Sequence, residues 1–499
     1  MTKRRALLGL WLVLAAWLPA AAQEETEYFA LFMEGKKVGH ATHTRIVQDG
    51  RVTTTEDARV TISRLGTPMT MVIAETSIET AEGKPLSFQS VQQLGAMTMK
   101  VEGTVDSANM ANVMSSTMGA QQKSTIPWPP GAVMSEGLRL LTLKHGLKAG
   151  TEYEANVFSA GMMSAVATKV SVGPKKEVDL LGRIVTLTEM TTSVSLPGSA
   201  PITTQSYVDD DLRTLKTWIP LAGMRVEMVS CTKEFALGDN DVLELIDKMF
   251  VRSPQRLENV GSATSITYTL APVAGAKLVV PSIDNQKAET LPDGRTLLTV
   301  APVAAPAGGP FPYKGDDPVL LEALKPTRYL QSDRKEIVAL ARKAMGNAKD
   351  PSEVAKRIES FVAEYVEDRS LSVGYASAAE VAESRKGDCS EFAVLTAALC
   401  RAVGIPAQVV VGVAYVADFA GLEGFGGHAW TQAYVGGDTQ GKGGKWIGLD
   451  ASFKGGGRGG YDAGHIALAV GNGEPADFFN IATSLGQFRI EKSEVRRSN

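Results

Sequence analysis

Lys386-Gly387-Asp388-Cys389-Ser390-Glu391-Phe392-Ala393 is the stretch from which the rest of this chain can be read. Gly387-Asp388 interrupts any helix before it. Phe392, Leu395, Leu399 and Val403 then recur at helical spacing as far as Gly404 and Pro406. The pattern predicts a helix that begins at about Cys389. A cysteine in a first helical turn lies among backbone N–H groups without intrahelical partners, at the positive end of the helix dipole. Both favour the thiolate, the reactive form of cysteine. The same N–H groups, that of Cys389 included, are placed to stabilise an oxyanion.

Downstream, Gly427-His428-Ala429-Trp430 opens an alternating strand with His428, Trp430 and Gln432 on one face. Trp446-Ile447-Gly448-Leu449-Asp450 reads as the next strand and ends at Asp450. If these strands are antiparallel neighbours, the carboxylate can fix the ring tautomer and support an imidazolium. Each residue alone has an ordinary structural explanation: a helix start, a core or surface ring, a turn carboxylate. Their order, each on the element the chemistry needs, points to a nucleophile, its base and an orienting group.

These blocks, with Leu399 to Ala407 between them, resemble the bacterial transglutaminase-like superfamily. The resemblance covers roughly residues 330–470. It implies a papain-like core and a Cys-His-Asp triad, with Cys389 as nucleophile, His428 as general base and then acid, and Asp450 as orienter. It also implies an aromatic residue or Gln upstream on the oxyanion side, for which Tyr375 is the candidate. Glu391 and Trp430 are further candidates for the substrate or oxyanion side. Asp388 and Glu391 would oppose thiolate formation unless they are paired.

The surrounding pattern is α+β. Asp333 with Glu336, Asp350-Pro351 with Glu353, and Ser377 with Glu380 read as helix starts ahead of the Cys389 helix, and strands follow it. The first half differs. From Glu25 to about Cys231 short β-branched runs alternate with Gly, Pro, Asp and Lys, with a hairpin turn at Glu34-Gly35 and one helix at Ser135 to His145. A second β segment includes Ile266 to Leu270, Leu278 to Val280 and Thr296 to Val300, and Pro302 to Pro312 reads as a linker. The expected division is a signal peptide at 1–22, a β-rich antiparallel domain at 23–255, a β segment and linker at 256–312, and the transglutaminase-like domain at 313–499. Met97, Met99, Met110, Met114, Met118, Met162 and Met163 read as sheet core or as an adaptable binding face.

With 499 residues, 44% hydrophobic and 21% charged, the chain suits several globular domains, and a net charge of −4 without a basic block excludes a nucleic-acid surface. Lys3, Arg4 and Arg5, the apolar run Leu7 to Leu18 and Ala20-Ala21-Ala22 have the form of a cleaved export signal, with no later membrane span. The expected location is periplasmic or extracellular. Cys231, Cys389 and Cys400 are too few for a disulfide framework. A Cys231–Cys400 bridge would join distant segments, and both read as small buried residues. No metal or cofactor motif is present, and Gly455 to Gly460 lacks the Gly-Lys-Ser/Thr of a phosphate loop and reads as a mobile rim loop. Asp462 and His465 follow it as outer candidates. Three readings stay open: a thiol peptidase, amidase or transamidase acting on protein or cell-wall peptides; a vestigial catalytic fold whose β-rich half binds a partner; and a β-rich half that serves as lid or inhibitor.

Overall fold

The computed structural model describes residues 23–64, 67–94, 97–117, 120–195, 201–221, 224–244, 250–273, 278–369, 376–419, 421–438, 440–472 and 487–498. The expected signal segment at 1–22, Met118 and Tyr375 lie outside them.

Between Gln23 and Cys231 the described residues build one sheet of fifteen strands, β1 to β15. It begins in the middle, where β1 (Gln23–Met33) lies between β2 (Lys36–Gln48) and β15 (Met224–Cys231). Glu34 and Gly35, at φ 51° and 77°, make the β1–β2 turn. The chain meanders out to one edge at β8 (Ala120–Pro127), then passes to the other edge at β9 (Ala132–Val133) and back. Helix α1 (Ser135–His145) connects β9 to β10 (Glu152–Ser159), and this is the sheet's parallel pair, since a crossover is what parallel strands require. The sheet curls until its ends meet: Phe88, Val101 and Val113 share a core with Trp128, Ala132 and Phe158. The start of α1 is held from outside, by buried Glu79, which accepts the N–H groups of Glu136 (2.6 Å) and Gly137 (2.9 Å).

A short helix, α2 (Lys233–Leu237), packs back on β1 and β2. The second body starts with β16 (Phe250–Arg252), β17 (Ser265–Pro272), β18 (Gln286–Thr290) and β19 (Thr296–Val300). Five helices follow: α3 (Pro318–Glu322), α4 (Lys335–Met345), α5 (Pro351–Tyr365), α6 (Ala378–Ser384) and α7 (Cys389–Ala402). Then come β20 (Ala407–Phe419), β21 (Leu422–Val435), β22 (Lys445–Leu449), helix α8 (Ala451–Gly455), β23 (His465–Gly471) and β24 (Phe488–Arg496). One sheet runs β16-β21-β20-β23 with β22 also on β21, and the other runs β18-β19-β17-β24. Both pack with α4, α5 and α7 around a single core that includes Ile266, Leu298, Ile358, Leu395, Val411 and Ile490.

The segment 256–312 is therefore woven into the second body. β17 pairs with the C-terminal β24, and β16, a few residues earlier, pairs with β21. Leu278 to Val280 form no strand. Asp333 caps nothing: α4 begins one residue later than its box requires, behind Arg334, which has no side-chain cap bond. Asp350 and Ser377 do cap their helices, Asp350 through the N–H groups of Ser352 and Glu353. All three cysteines are free thiols. Cys400 is fully buried, and burial pushes its thiol up to about 12. Met99 of the large sheet is buried in the core of the second body, where the Tyr329 hydroxyl donates to its sulfur at 2.7 Å.

Candidate active site

Cys389 is the first residue of α7, behind the N-cap Asp388. Asp388 Oδ1 accepts the Ser390 N–H (3.0 Å) and the Ser390 hydroxyl (2.9 Å). Glu391 folds back to accept the Asp388 N–H at 2.8 Å, completing a reciprocal cap. Gly387 makes room for this, because a Cβ there would lie 2.2 Å from the Glu391 Cβ. Cys389 itself is partly exposed and packs on the edge of the core.

Glu391 is 0% exposed. Its second oxygen accepts the Ala376 N–H (2.8 Å) and the Ser390 hydroxyl (3.1 Å). It presents no surface to a substrate, and its place is beneath the start of α7. Burial, and then the nearby Asp388 charge, push its carboxyl well above the usual range. Its proton, when bound, removes one of the two negative charges that flank Cys389. Trp430 is likewise enclosed, 2% exposed against Val410 and Ala467. It forms a wall behind the histidines, with centroid distances of 6.1 Å to His428 and 5.1 Å to His465.

β21 and β22 are antiparallel neighbours, with Thr431 opposite Leu449. His428 Nε2 donates to Asp450 Oδ2 at 2.8 Å. Asp450 is also the N-cap of α8, its Oδ1 accepting the Phe453 N–H at 2.9 Å, so the helix start holds the carboxylate in place. The Phe453 ring covers His428 at a centroid distance of 4.4 Å. Helix α7 packs against both β21 and α8, and the Thr431 hydroxyl donates to the Ala393 carbonyl at 2.9 Å. The carriers of Cys389, His428 and Asp450 thus form one packed unit.

Burial alone would push the Asp450 carboxyl up. The His428 and His465 rings outweigh it and hold the group well below the usual carboxylate range. His465, at the start of β23, places Nε2 at 3.0 Å from the same Asp450 Oδ2, and Asp462 faces its Nδ1. Glu359 of α5 accepts the Asp450 N–H at 2.8 Å and pairs with Lys454 at 3.0 Å. The sequence reading left Glu359 out. Its signal was a carboxylate inside the apolar stripe of Ala355, Ile358 and Val362. The Gly455 to Gly460 stretch runs from the end of α8 toward Asp462, with Gly460 packed on Glu359.

His428, Asp450 and His465 place their ligand atoms within 4.8 Å of one another. Yet Asp450 Oδ2 meets both ring nitrogens directly, at 2.8 and 3.0 Å, the separations of shared protons. The set is joined by hydrogen bonds through one carboxylate oxygen.

Among known proteins, residues 338–451 match the model of the transglutaminase-like superfamily. A crystal structure of a candidate cysteine protease from Cytophaga hutchinsonii is 22% identical with TM-score 0.29, covering 47% of this chain and 86% of that one. A β-barrel-like protein of a domain of unknown function from Brucella abortus is 12% identical with TM-score 0.31, covering 42% and 95%. A candidate protease from Parabacteroides distasonis is 13% identical with TM-score 0.18, covering 71% and 64%. At such scores these likenesses carry no argument about chemistry. A search of curated proteins found no match. Among the described residues no helix is long and apolar enough to cross a membrane. The part of the chain spanning residues 338–451 is a domain of the transglutaminase-like superfamily.

Proposed function

We propose that the chain is an exported thiol enzyme that attacks a carboxamide or peptide carbonyl through Cys389, His428 and Asp450. The observation that carries this reading is the His428–Asp450 bond. With Nε2 committed to Asp450 at 2.8 Å, Nδ1 is the ring nitrogen assigned to the sulfur. His428 takes the thiol proton there, and the thiolate adds to the carbonyl carbon. Asp388 engages the N–H of Ser390, so the oxyanion is assigned to the N–H of Cys389. The proton on His428 passes to the leaving amine as the C–N bond breaks and a thioester forms. Water then releases an acid, or an amine releases a new amide, and His428 accepts the proton from either. The substrate class that fits an exported enzyme of this kind is protein or cell-wall peptide. Residues 1–22 supply the export signal.

One observation favours binding by the β-rich half as well. A groove of about 790 Å³ lies on the sheet, lined by Phe88, Gln89, Glu102, Asn112, Lys123 and Thr125 among others. In this second reading the sheet holds the partner on which the thiol acts, or holds it with no chemistry at all.

The deciding experiment is mass spectrometry of the full chain after incubation with peptide and amine libraries, with Cys389→Ala as control. A thioester adduct on Cys389, lost in the variant, supports the reading. If no adduct forms and iodoacetamide labels Cys389 only at the pH of an ordinary thiol, the binding reading takes its place.

A further inference from the structure

Behind Asp450 lies a second imidazole that the reaction scheme above does not use. His465 is 0% exposed. Its Nε2 faces Asp450 Oδ2 at 3.0 Å, and its Nδ1 faces both Asp462 Oδ1 and the Asp462 carbonyl at 3.1 Å. The Asp462 N–H also points its proton at Nδ1, at 3.3 Å, the contact a neutral ring would accept, but the two oxygens lie closer. With a carboxylate oxygen facing each nitrogen, a doubly protonated ring donates to Asp450 on one side and to Asp462 on the other. Its other neighbours are rings: Tyr461 at 4.7 Å, Phe453 at 5.0 Å, Trp430 at 5.1 Å and His428 at 5.6 Å between centroids.

We propose that His465 is a positioning residue, held as an imidazolium between Asp450 and Asp462, that tempers the proton affinity of His428 by sharing its carboxylate oxygen. The inference rests on the assignment of His428 as base to Cys389. Both rings converge on one atom, Asp450 Oδ2, at 2.8 and 3.0 Å. Negative charge drawn toward His465 is not available to His428. The fixed positive ring also stands 5.6 Å from His428 and opposes a second proton there. At an effective dielectric of about 20, a unit charge at that range shifts a neighbouring titration by up to about two pH units.

The other charged groups facing the pair are few. Glu359 binds the Asp450 N–H and carries Lys454 as counter-ion. Exposed Arg458, whose guanidinium lies 3.8 Å from the Phe453 ring, interacts with Asp462 and Asp450. Tyr461, partly buried beside Asp462, keeps its proton: burial and that carboxylate hold its hydroxyl far above the ordinary range. Burial works against a charge on His465, but the hydrogen bonds to Asp450 and Asp462 outweigh it and raise the ring to about 9. His465 therefore stays charged through neutral pH.

Histidine-labelled NMR on the full chain tests this, since there are only five histidines to assign. Both His465 nitrogens are expected to carry protons from pH 6 to 8. In His465→Gln the pH at which His428 releases its ring proton is expected to rise by one to two units, with the melting temperature recorded as the fold control. Asp462→Asn, which removes only the outer carboxylate, should let His465 lose its proton at lower pH. A neutral His465 at pH 7 in the unaltered protein overturns the inference, even if both variants fail to fold. So does an unmoved His428 titration in folded His465→Gln. Failure of the catalytic assignment shows separately, as ordinary iodoacetamide reactivity of Cys389 in the unaltered protein.

Discussion

Asp450→Asn should destabilise the C-terminal body strongly at pH 6 and far less at pH 9.5. The carboxylate serves three partners: Oδ2 accepts from His428 and His465, and Oδ1 accepts the Phe453 N–H. Asparagine keeps the shape and, with its oxygen toward Phe453, keeps the cap. Its NH2 then faces two ring nitrogens that had donated. Removing one partner of a buried ion pair costs about 3–5 kcal/mol. If the amide turns round, the rings keep an acceptor and the cap is lost instead, at about 1 kcal/mol. The pH dependence has a definite sign. His465 is raised to about 9, so its charged contribution is complete below the unfolded value of 6.5 and fades as pH rises through 9. Asp450 is depressed, so its contribution holds above 3.8 and disappears only in acid. At pH 6 both charges are present and the variant loses the whole interaction. At pH 9.5 the unaltered protein has already lost most of the imidazolium. Urea unfolding of both proteins at the two pH values reads the difference. Equal losses at both values, or none at pH 6, would refute the buried ion pair.

Two further predictions concern the supports of the site. Glu391→Ala leaves the Ala376 and Asp388 N–H groups without their acceptor and should cost about 2–5 kcal/mol in urea unfolding, whereas Glu391→Gln, which retains one oxygen and carries no charge, should cost clearly less. Met99→Ala should cost about 2–4 kcal/mol as a core truncation, and limited proteolysis should show the two bodies separating more readily, because Met99 is the sheet residue buried in the core of the second body.

The start of α7 could be read locally because its signals are local. Gly387 clears space for Glu391, Asp388 caps, and the apolar spacing continues to Leu399. The antiparallel pairing of β21 and β22 followed from two adjacent alternating runs. Asp333 and Arg334 show the limit of that approach: one residue decides which group caps α4, and nothing in the four-residue pattern settles it. Burial was harder still. Glu391 and Trp430 sit inside the chemical motifs, so the sequence suggested contact with substrate, yet both are enclosed by residues distant in the chain. His465 approaches Asp450 from a different strand, and Glu359 from a helix 91 positions earlier, so the contact of neither with Asp450 followed from spacing.

The same long-range pairing decides where the chain divides. Pro302 to Pro312 has the composition of a linker, but a cut there would remove β16, which covers β21 at Gly424 to Gly426, two residues from His428. It would also remove β17 and leave β24 unpaired. A change after such a cut would report a broken second body and say nothing about a lid or scaffold. The first body runs further than Cys231: Asp241 is bound to the Lys37 N–H, and the Ser63 N–H donates to the Leu243 carbonyl. The second begins by Phe250, where pairing with β21 starts. Besides the covalent connection, the sheet meets the second body at Met99 against Tyr329, and Ser115 and Gln122 face Arg328 and Gln331 across a shared cavity, so a change at Met99 alters part of this contact without removing a strand from either. That contact is linked to the start of α7, since the Tyr329 carbonyl accepts the N–H of Ala378 and nearby Ala376 donates to Glu391 beneath Cys389. An influence of the β-rich half on Cys389 has a physical route through these groups, and the Met99 variant is the perturbation that probes it.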